Sequence, residues 1–459
     1  MKLKNTWVVV LGLIVLQNAA FSQESTVERA QLLTLQDALS TAIANDPWLL
    51  GSQHSQDAMD ALGVAAGTLP DPRVSLGFAN IPTDTFDFDQ EAMSQFKVGL
   101  TQMFPRGDSR ALRQKQLATL SSKFPLERQD RIARLTATVS ELWLDTYRAG
   151  ATRKLIESNR ELFEQLVDVV TLNYSTALQG SRQQDVIRAQ LELTRIEDRL
   201  LELQQQFEMN SQRLGEWLAL RPQQQFTALL LPEELPEVQL ALGSPQSTDK
   251  AFESVNQQRL LRHPAVLALD QKIASATTGV ALAKQKYKPE WGVNASYGYR
   301  DNDPMGGDRA DFFSLGVSFD LPIFTANRQD KEVRAAVSQA EAIRSQKWLL
   351  LRTLAAGMAT AKVQLVQLES RQALYRGQLL PQIREQAEAS LAAYTNDDGD
   401  FAEVVRARIA HLNTEIEALD IDVDRYKTVA RLNYYLALGQ LDEHSSNMIA
   451  PALRAGAIR

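Results

Sequence analysis

Residues 291–299 read Trp-Gly-Val-Asn-Ala-Ser-Tyr-Gly-Tyr, a run in which large apolar side chains alternate with small or polar ones. Successive side chains of a β-strand point to opposite faces, so this period of two predicts a strand with one apolar and one small or polar face. The alternation predicts four strands, at about residues 73–81, 95–104, 290–299 and 312–320. Strands of about nine to eleven residues suit a tilted crossing of a bilayer, with aromatic residues near the ends.

Two further features favour membrane strands over the alternative, a small soluble sheet whose apolar face packs on a core. Five glycines fall on the small-residue faces, as in a water-filled lumen: Gly77, Gly99, Gly292, Gly298 and Gly316. The connections 82–93 and 300–311 are long and acidic, as external loops of outer-membrane barrels often are long. Four strands cannot close a barrel, since the smallest use about eight, and lipid tolerates no open edge. Strands that meet lipid here must therefore share one barrel among several protomers.

The chain contains an internal duplication. Five residue pairs share one offset of 217 positions: Pro47 and Pro264, Pro72 and Pro289, Phe96 and Phe313, Gly99 and Gly316, Pro105 and Pro322. We therefore predict a first repeat over residues 23–220, a proline-rich linker over 221–250, a second repeat over 251–438 and a C-terminal tail over 439–459. Each repeat is expected to contain a helix, two strands and two long helices.

The long helices carry apolar residues at alternating steps of three and four: Leu193, Ile196, Leu200, Leu203 and Phe207 in one repeat, and Ile409, Leu412, Ile416, Leu419, Val423 and Tyr426 in the other. That spacing is typical of coiled-coil packing. An antiparallel helical hairpin with its own core explains it equally well. Asp46-Pro47 predicts the end of one helix and the start of the next, and residues 121–125 predict a bend. The fold class is therefore mainly α, with a small transmembrane β part.

The N-terminus predicts export. Lys2 and Lys4 precede an apolar run over residues 7–16, and Ala20 and Ser22 follow, which together predict a secretory signal peptide over residues 1–22. The chain lacks cysteine, and this excludes disulfides, thiolate metal sites and a lipid-modified cysteine. The net charge of −7 argues against nucleic acid as a partner. The sequence also lacks the several runs of about 20 apolar residues that a multi-spanning helical membrane protein needs.

The sequence gives little support for an enzyme. The histidines are scattered along the chain: His54, His263, His411 and His444. No metalloprotease, nucleophile-elbow or phosphate-loop motif is present. We therefore predict a protein that is not an enzyme, with no catalytic residue, no cofactor and no bound metal. His263, directly before Pro264, has the context of a helix cap.

The exported chain, the duplication, two strands per half and the long heptad helices resemble the TolC family of outer-membrane efflux channels. Local motifs add to the likeness: Leu69-Pro70-Asp71-Pro72 before the first strand, and Gln102-Met103-Phe104-Pro105-Arg106-Gly107 at the end of the second. The resemblance implies a homotrimer in outer-membrane lipid, with a shared twelve-stranded β-barrel to which each protomer gives four strands. It also implies an α-barrel of helices that crosses the periplasm and docks onto an adaptor protein and an inner-membrane pump.

The resemblance implies a gate at the periplasmic helix tips, where family members project aspartates into the pore. The residues of this chain that correspond to it are Tyr174, Asp185, Tyr394, Asp400, Glu403 and Arg406. Threefold symmetry would make each carboxylate one of a ring, attractive to cations. Two departures stand out: Arg406 fills a second acidic position, and Gly399 lies where a gate arginine is expected. Arg182, Arg188 and Arg406 are pairing candidates, and ordinary solvated tip residues are the alternative.

The function that follows is a passive export channel powered by a partner pump. The same motifs resemble members that serve heavy-metal pumps, and Met93, Met103 and Met305 lie near the strands, where a thioether can hold Cu(I). Methionine at such places is also ordinary apolar filler. Drug or dye export is the first alternative. A periplasmic coiled-coil adaptor or a structural protein such as an adhesin is the second.

Overall fold

A computed structural model describes residues 32–175, 183–219, 230–241, 258–396 and 399–439, and these residues form long helices and one small sheet. The helices are α1 (Leu35–Asn45), α2 (Pro47–Ala66), α3 (Ser109–Ser121), α4 (Lys123–Ser175), α5 (Gln183–Leu218), α6 (Pro264–Lys284), α7 (Gln329–Leu374), α8 (Leu380–Thr395) and α9 (Phe401–Tyr435). The strands are β1 (Arg73–Ala79), β2 (Gln95–Phe104), β3 (Trp291–Tyr299) and β4 (Phe312–Phe319). The expected class, mainly α with a small β part, is confirmed.

The order of elements repeats. Two strands and two long helical segments follow α2 in the first half, and the same series follows α6 in the second. The predicted signal peptide (1–22), most of the predicted linker and nearly all of the predicted tail (439–459) lie outside the described residues. Of the linker, residues 230–241 are described. The Tyr147 hydroxyl of α4 donates to the Glu233 carbonyl, and the Asn433 side chain of α9 donates to the Gln239 carbonyl, so this segment touches both halves.

Local sequence explains the helix ends. Asp46 accepts a hydrogen bond from the Trp48 amide and caps α2, whose first residue is Pro47. His263 does the same for α6: Nδ1 accepts from the Ala265 amide at 3.3 Å, and Nε2 donates to the Tyr434 carbonyl at 3.1 Å. The predicted cap is confirmed. The long helical stretch is interrupted where a bend was predicted, since α3 ends at Ser121 and α4 begins at Lys123.

The sheet has the order β1-β2-β3-β4 with antiparallel pairing throughout. One row of the register runs from Leu76 to Val98, Tyr297 and Phe313, all exposed large apolar side chains. The neighbouring row runs from Gly77 to Lys97 and Gly298. The period of two therefore produces two chemically different faces. The central β2–β3 pairing joins the two halves of the chain.

The loops beyond the strands are braced to each other. Arg309 donates from Nη1 to the Asp89 carbonyl at 2.9 Å and pairs with Asp303 at 3.4 Å. Arg300 donates from Nη1 to the Ala92 carbonyl at 2.9 Å. The β3–β4 loop thus holds the β1–β2 loop through its two arginines.

The helices pack as two hairpins. The heptad residues of both halves meet in one buried cluster: Ile156 and Phe163 of α4, Ile196 of α5, and Leu412 and Ile416 of α9. A second cluster centres on Trp143 of α4, which is fully buried and stacks on Tyr147 at 5.6 Å between ring centroids. The apolar seams read from the sequence are therefore buried between hairpins.

The run α7–α8 is continuous through a π-helical turn, Tyr375–Leu379. Within the described residues it is the one helical run long and apolar enough, by length and composition, to cross a membrane. Several large apolar side chains on α7 are exposed, Trp348 among them at 70%. An exposed apolar stripe of this kind marks an interaction surface.

Candidate functional site

The two hairpin tips lie side by side. Helix α4 ends and α5 begins at one tip, and α8 ends and α9 begins at the other. A buried group that we call the tip cluster joins them: Val170 of α4, Ala189 of α5, and Phe401 and Val405 of α9. The two tips that the sequence resemblance identified are therefore adjacent in the fold.

The two tyrosines of the tips have different environments. Tyr394 packs on the tip cluster, with its ring centroid 5.7 Å from that of Phe401 in an edge-on arrangement. Tyr174, the corresponding residue of the first half, is 49% exposed. The two halves thus have a tyrosine at the corresponding position but in different environments, because only Tyr394 packs on the tip cluster.

The acidic residues also differ. Asp185 lies in the first turn of α5 and is only 6% exposed, whereas a pore-lining carboxylate was expected to project into solvent. Glu403 lies in the first turn of α9 and forms an ion pair with Arg406 at 3.0 Å. Both carboxylates are at helix N-termini, where the helix dipole favours negative charge. Arg406 therefore has an intramolecular partner at this tip.

The residues before α9 set its start. Asp400 is the N-cap and accepts from the Ala402 amide at 3.3 Å. At Gly399 a Cβ atom would lie 2.7 Å from the Tyr394 nitrogen, so the two backbones approach too closely for any side chain. The missing arginine at this position has a steric cause. Arg188 is exposed on α5, and Arg182 lies outside the described residues.

Further from the tips, α4 and α9 are joined by an ionic seam, formed by the pairs Glu141–Arg431, Asp145–Lys427 and Arg148–Asp424. Lys427 Nζ lies 2.8 Å from both Asp145 oxygens. Sequence reasoning missed this seam. The spacing was available as a signal, because the acidic residues on α4 and the basic residues on α9 each recur after four positions.

The π-helical turn lies beside a cavity of about 730 Å³ between α8, α9 and Leu155 of α4. Arg376 in the turn pairs with Asp422 at 2.6 Å, and Tyr375 donates to Glu417 at 2.6 Å. Such turns occur often at functional sites in helices. Here the turn changes the winding of the α7–α8 run before it reaches the tip.

The small-residue face of the sheet is the other surface with functional chemistry. Its members include Ser75, Gly99, Thr101, Asn294 and Ser296. The four strands contain two charged residues, Arg73 and Lys97, and both lie on this face. In the sequence, Lys97 occupies one of the small or polar positions of the alternation in residues 95–104. No group of histidine, aspartate and glutamate side chains among the described residues has the arrangement of a metal site.

Comparison with known proteins agrees with this architecture. Residues 255–439 match the protein family described as outer membrane efflux protein. No curated protein matches the chain. Among solved structures, the outer-membrane channel OprN is similar over 89% of this chain and 91% of its own, with a TM-score of 0.73 and 18% identity.

Two further structures show the same fold. The CusC structure, described in terms of folding and transmembrane channel formation, has a TM-score of 0.70 at 15% identity and covers 88% of this chain and 92% of its own. The CmeC outer membrane channel of Campylobacter jejuni has a TM-score of 0.71 at 12% identity over 98% of both chains. The similarity extends over helices and sheet together.

Proposed function

We propose that this chain is a channel of the outer membrane efflux protein family, whose model matches residues 255–439, and that three copies assemble into one conduit across the outer membrane and the periplasm. In this proposal the protein is a passive outer-membrane efflux channel, and it catalyses no reaction. The oligomer, the partners, the gate and the cargo are argued below.

The main evidence for the proposed trimer is the open sheet. Strands β1 and β4 are the edges of a four-stranded sheet whose apolar side chains face outward: Val74, Leu76, Phe313 and Leu315 are each more than half exposed. Lipid offers no hydrogen-bond partner to an unpaired strand edge. Pairing β1 of one protomer with β4 of the next satisfies both edges. Three protomers give twelve strands, which at ordinary spacing and tilt close a barrel of about 12 Å radius.

The exposed apolar side chains of α7 support the same assembly. Trp348, Leu349 and Val363 each expose more than half of their surface although they lie on a helix that continues toward the tips. Contact with a neighbouring protomer would bury this stripe and continue the barrel as a ring of helices.

We further propose that the tips form the gate and that an adaptor and an inner-membrane pump act on it. The tip cluster holds the two hairpins of one protomer together, and on its rim Arg406 is exposed and Glu403 is half-buried. The burial of Asp185 makes Glu403 the better candidate for a carboxylate ring. A passive conduit needs an energy source elsewhere, which an inner-membrane pump supplies.

The proposed cargo is heavy-metal cations, and drug-like small molecules are the alternative. The motif around residues 102–107 supports the first, and Met103 lies on the small-residue face opposite Gly292. Deleting the gene and measuring tolerance to Cu, Ag, Zn and Co tests this choice. Lower tolerance to at least one metal supports it. Unchanged tolerance to all four, with higher sensitivity to dyes or antibiotics, rejects it in favour of the alternative.

The assembly has its own test. The protein should fractionate with the outer membrane and run as a trimer in detergent that dissociates on heating. Recovery as a soluble monomer without detergent would contradict both the barrel and the trimer. The periplasmic adaptor or structural protein, the remaining alternative, predicts that soluble outcome.

A further inference from the structure

The two charged residues of the sheet, Lys97 and Arg73, have different surroundings. It lies on β2, an interior strand, and its partners in the register are Gly77 on β1 and Gly298 on β3. Its side chain is exposed. Because both neighbours come from the same protomer, assembly cannot insert another residue beside it in the ladder. Arg73, by contrast, lies on the edge strand β1, where a neighbouring protomer would pair.

The Lys97 charge is uncompensated within the described residues. No aspartate or glutamate occurs in the four strands, and Lys97 forms no ion pair in the described part of the chain. Its two register partners are glycines, and the side chain that lies over Gly298, that of Gln95, is neutral, so none of these neighbours compensates the charge. A flexible four-carbon stem with a strongly hydrated charge will therefore extend into the water on this face.

We propose that Lys97 determines the ionic selectivity of the channel: three Lys97 side chains form a cationic ring in the barrel that favours anions over cations. This inference rests on the proposed trimer and goes beyond it by naming the charge class of the cargo that the barrel favours. The metal cargo proposed above would therefore pass the ring more easily as a negatively charged complex than as a free cation. Anionic organic molecules and negatively charged metal complexes are favoured.

The barrel dimensions make the ring effective. In a barrel of about 12 Å radius, extended side chains bring the three ammonium groups to about 8 Å from the axis. This distance equals about one Debye length at 0.15 M salt. Coulomb's law with the dielectric constant of water and that screening gives a preference for a monovalent anion over a monovalent cation of roughly sevenfold. At 1 M salt, where the screening length is about 3 Å, the preference should nearly vanish.

The test is the reversal potential of the purified trimer in a planar bilayer under a KCl gradient. Replacing Lys97→Gln should shift selectivity toward potassium by roughly sevenfold at about 0.15 M salt, and Lys97→Glu should shift it further. Lys331→Gln is the matched control, since Lys331 is an exposed lysine on α7 outside the sheet. The acidic tips and the acidic loops 82–93 and 300–311 also contribute to the wild-type value, and the difference between variants isolates the contribution of the ring.

The cysteine-free sequence allows a second, independent measurement. In the Lys97→Cys variant the only thiol is at the proposed ring, so a cationic methanethiosulfonate reagent should restore the anion preference and an anionic reagent should invert it. Equal reversal potentials for wild type, Lys97→Glu and both adducts would overturn the inference and leave the channel intact. A purified protein that forms neither a trimer nor a pore would overturn the proposed function, and the inference with it.

Discussion

The contact between Tyr394 and Phe401 offers a direct test of how the two tips of one protomer are held together. Replacing Tyr394→Ala removes a half-buried aromatic ring and its edge-on contact with Phe401, which is 4% exposed. Full burial of a large apolar side chain contributes about 1.5–3 kcal/mol. Half of that value is about 1 kcal/mol, and an aromatic pair adds about 1 kcal/mol. We therefore expect local opening of the tip to become easier by about 2 kcal/mol, or roughly thirtyfold.

Amide hydrogen exchange of residues 401–409, followed by mass spectrometry on the detergent-solubilised protein, measures this opening. The chain supplies its own control, because Tyr174 occupies the corresponding tip of the first half but is 49% exposed. Tyr174→Ala should change exchange by less than about threefold, as surface substitutions usually cost under about 0.5 kcal/mol. Equal exchange rates in the two variants would refute the conclusion that Tyr394 stabilises the tip cluster. A looser tip should also raise the open probability of the channel in a bilayer.

Three further predictions concern stability. Burial lowers the pKa of His263 in the folded protein, so the unfolded chain binds a proton at a higher pH than the folded one does. The free energy of unfolding should therefore fall as the pH drops below about 6.5. His263→Asn should flatten this acid dependence in thermal melts between pH 7.5 and 5. Replacing Gly399→Arg forces a Cβ against the Tyr394 backbone and should destabilise the tip by about 1–3 kcal/mol in the same melts. Lys427→Ala removes a cation that is 2.8 Å from both Asp145 oxygens and should cost about 1–3 kcal/mol in denaturant unfolding.

The ionic-seam prediction has a matched control in the pair Arg384–Glu388. Its nitrogen and oxygen are 2.9 Å apart, as close as those of the seam, but both side chains are more than half exposed. Arg384→Ala should therefore cost less than about 1 kcal/mol. A loss as large as that of Lys427→Ala would contradict the view that burial between α4 and α9 gives the seam its strength.

The sheet was the part of the molecule most open to prediction, since period-two alternation is a local property of the sequence. Residues 291–299 alone predict β3, and the structure places it there. The isolation of Lys97 was not predictable in this way. It depends on the register that brings Gly77 and Gly298 to its two sides, and Gly298 is far away in the sequence.

At the tips, by contrast, the burial of each side chain could not be predicted from the sequence. Residue type and spacing identified Asp185 and Tyr174 as tip residues, but the neighbouring helices decide how far each side chain is buried. Burial is what distinguishes Asp185 from Glu403 and Tyr174 from Tyr394. Two nearly equivalent positions in a duplicated sequence thus acquired different environments. The π-helical turn Tyr375–Leu379 had no clear sequence signal, although Pro381 follows it closely.

The β2–β3 pairing has a consequence for how the protein is made. The hairpins β1–β2 and β3–β4 connect neighbouring segments, but the pairing of Phe96 with Tyr299 joins residues about 200 positions apart, and such high contact order slows folding. The chain must finish the first half, and synthesise the beginning of the second, before the central ladder can form. We expect the helical hairpins to fold first, from contacts close in sequence, and the membrane part to be the last to assemble. The duplication thus delays insertion until both halves are present.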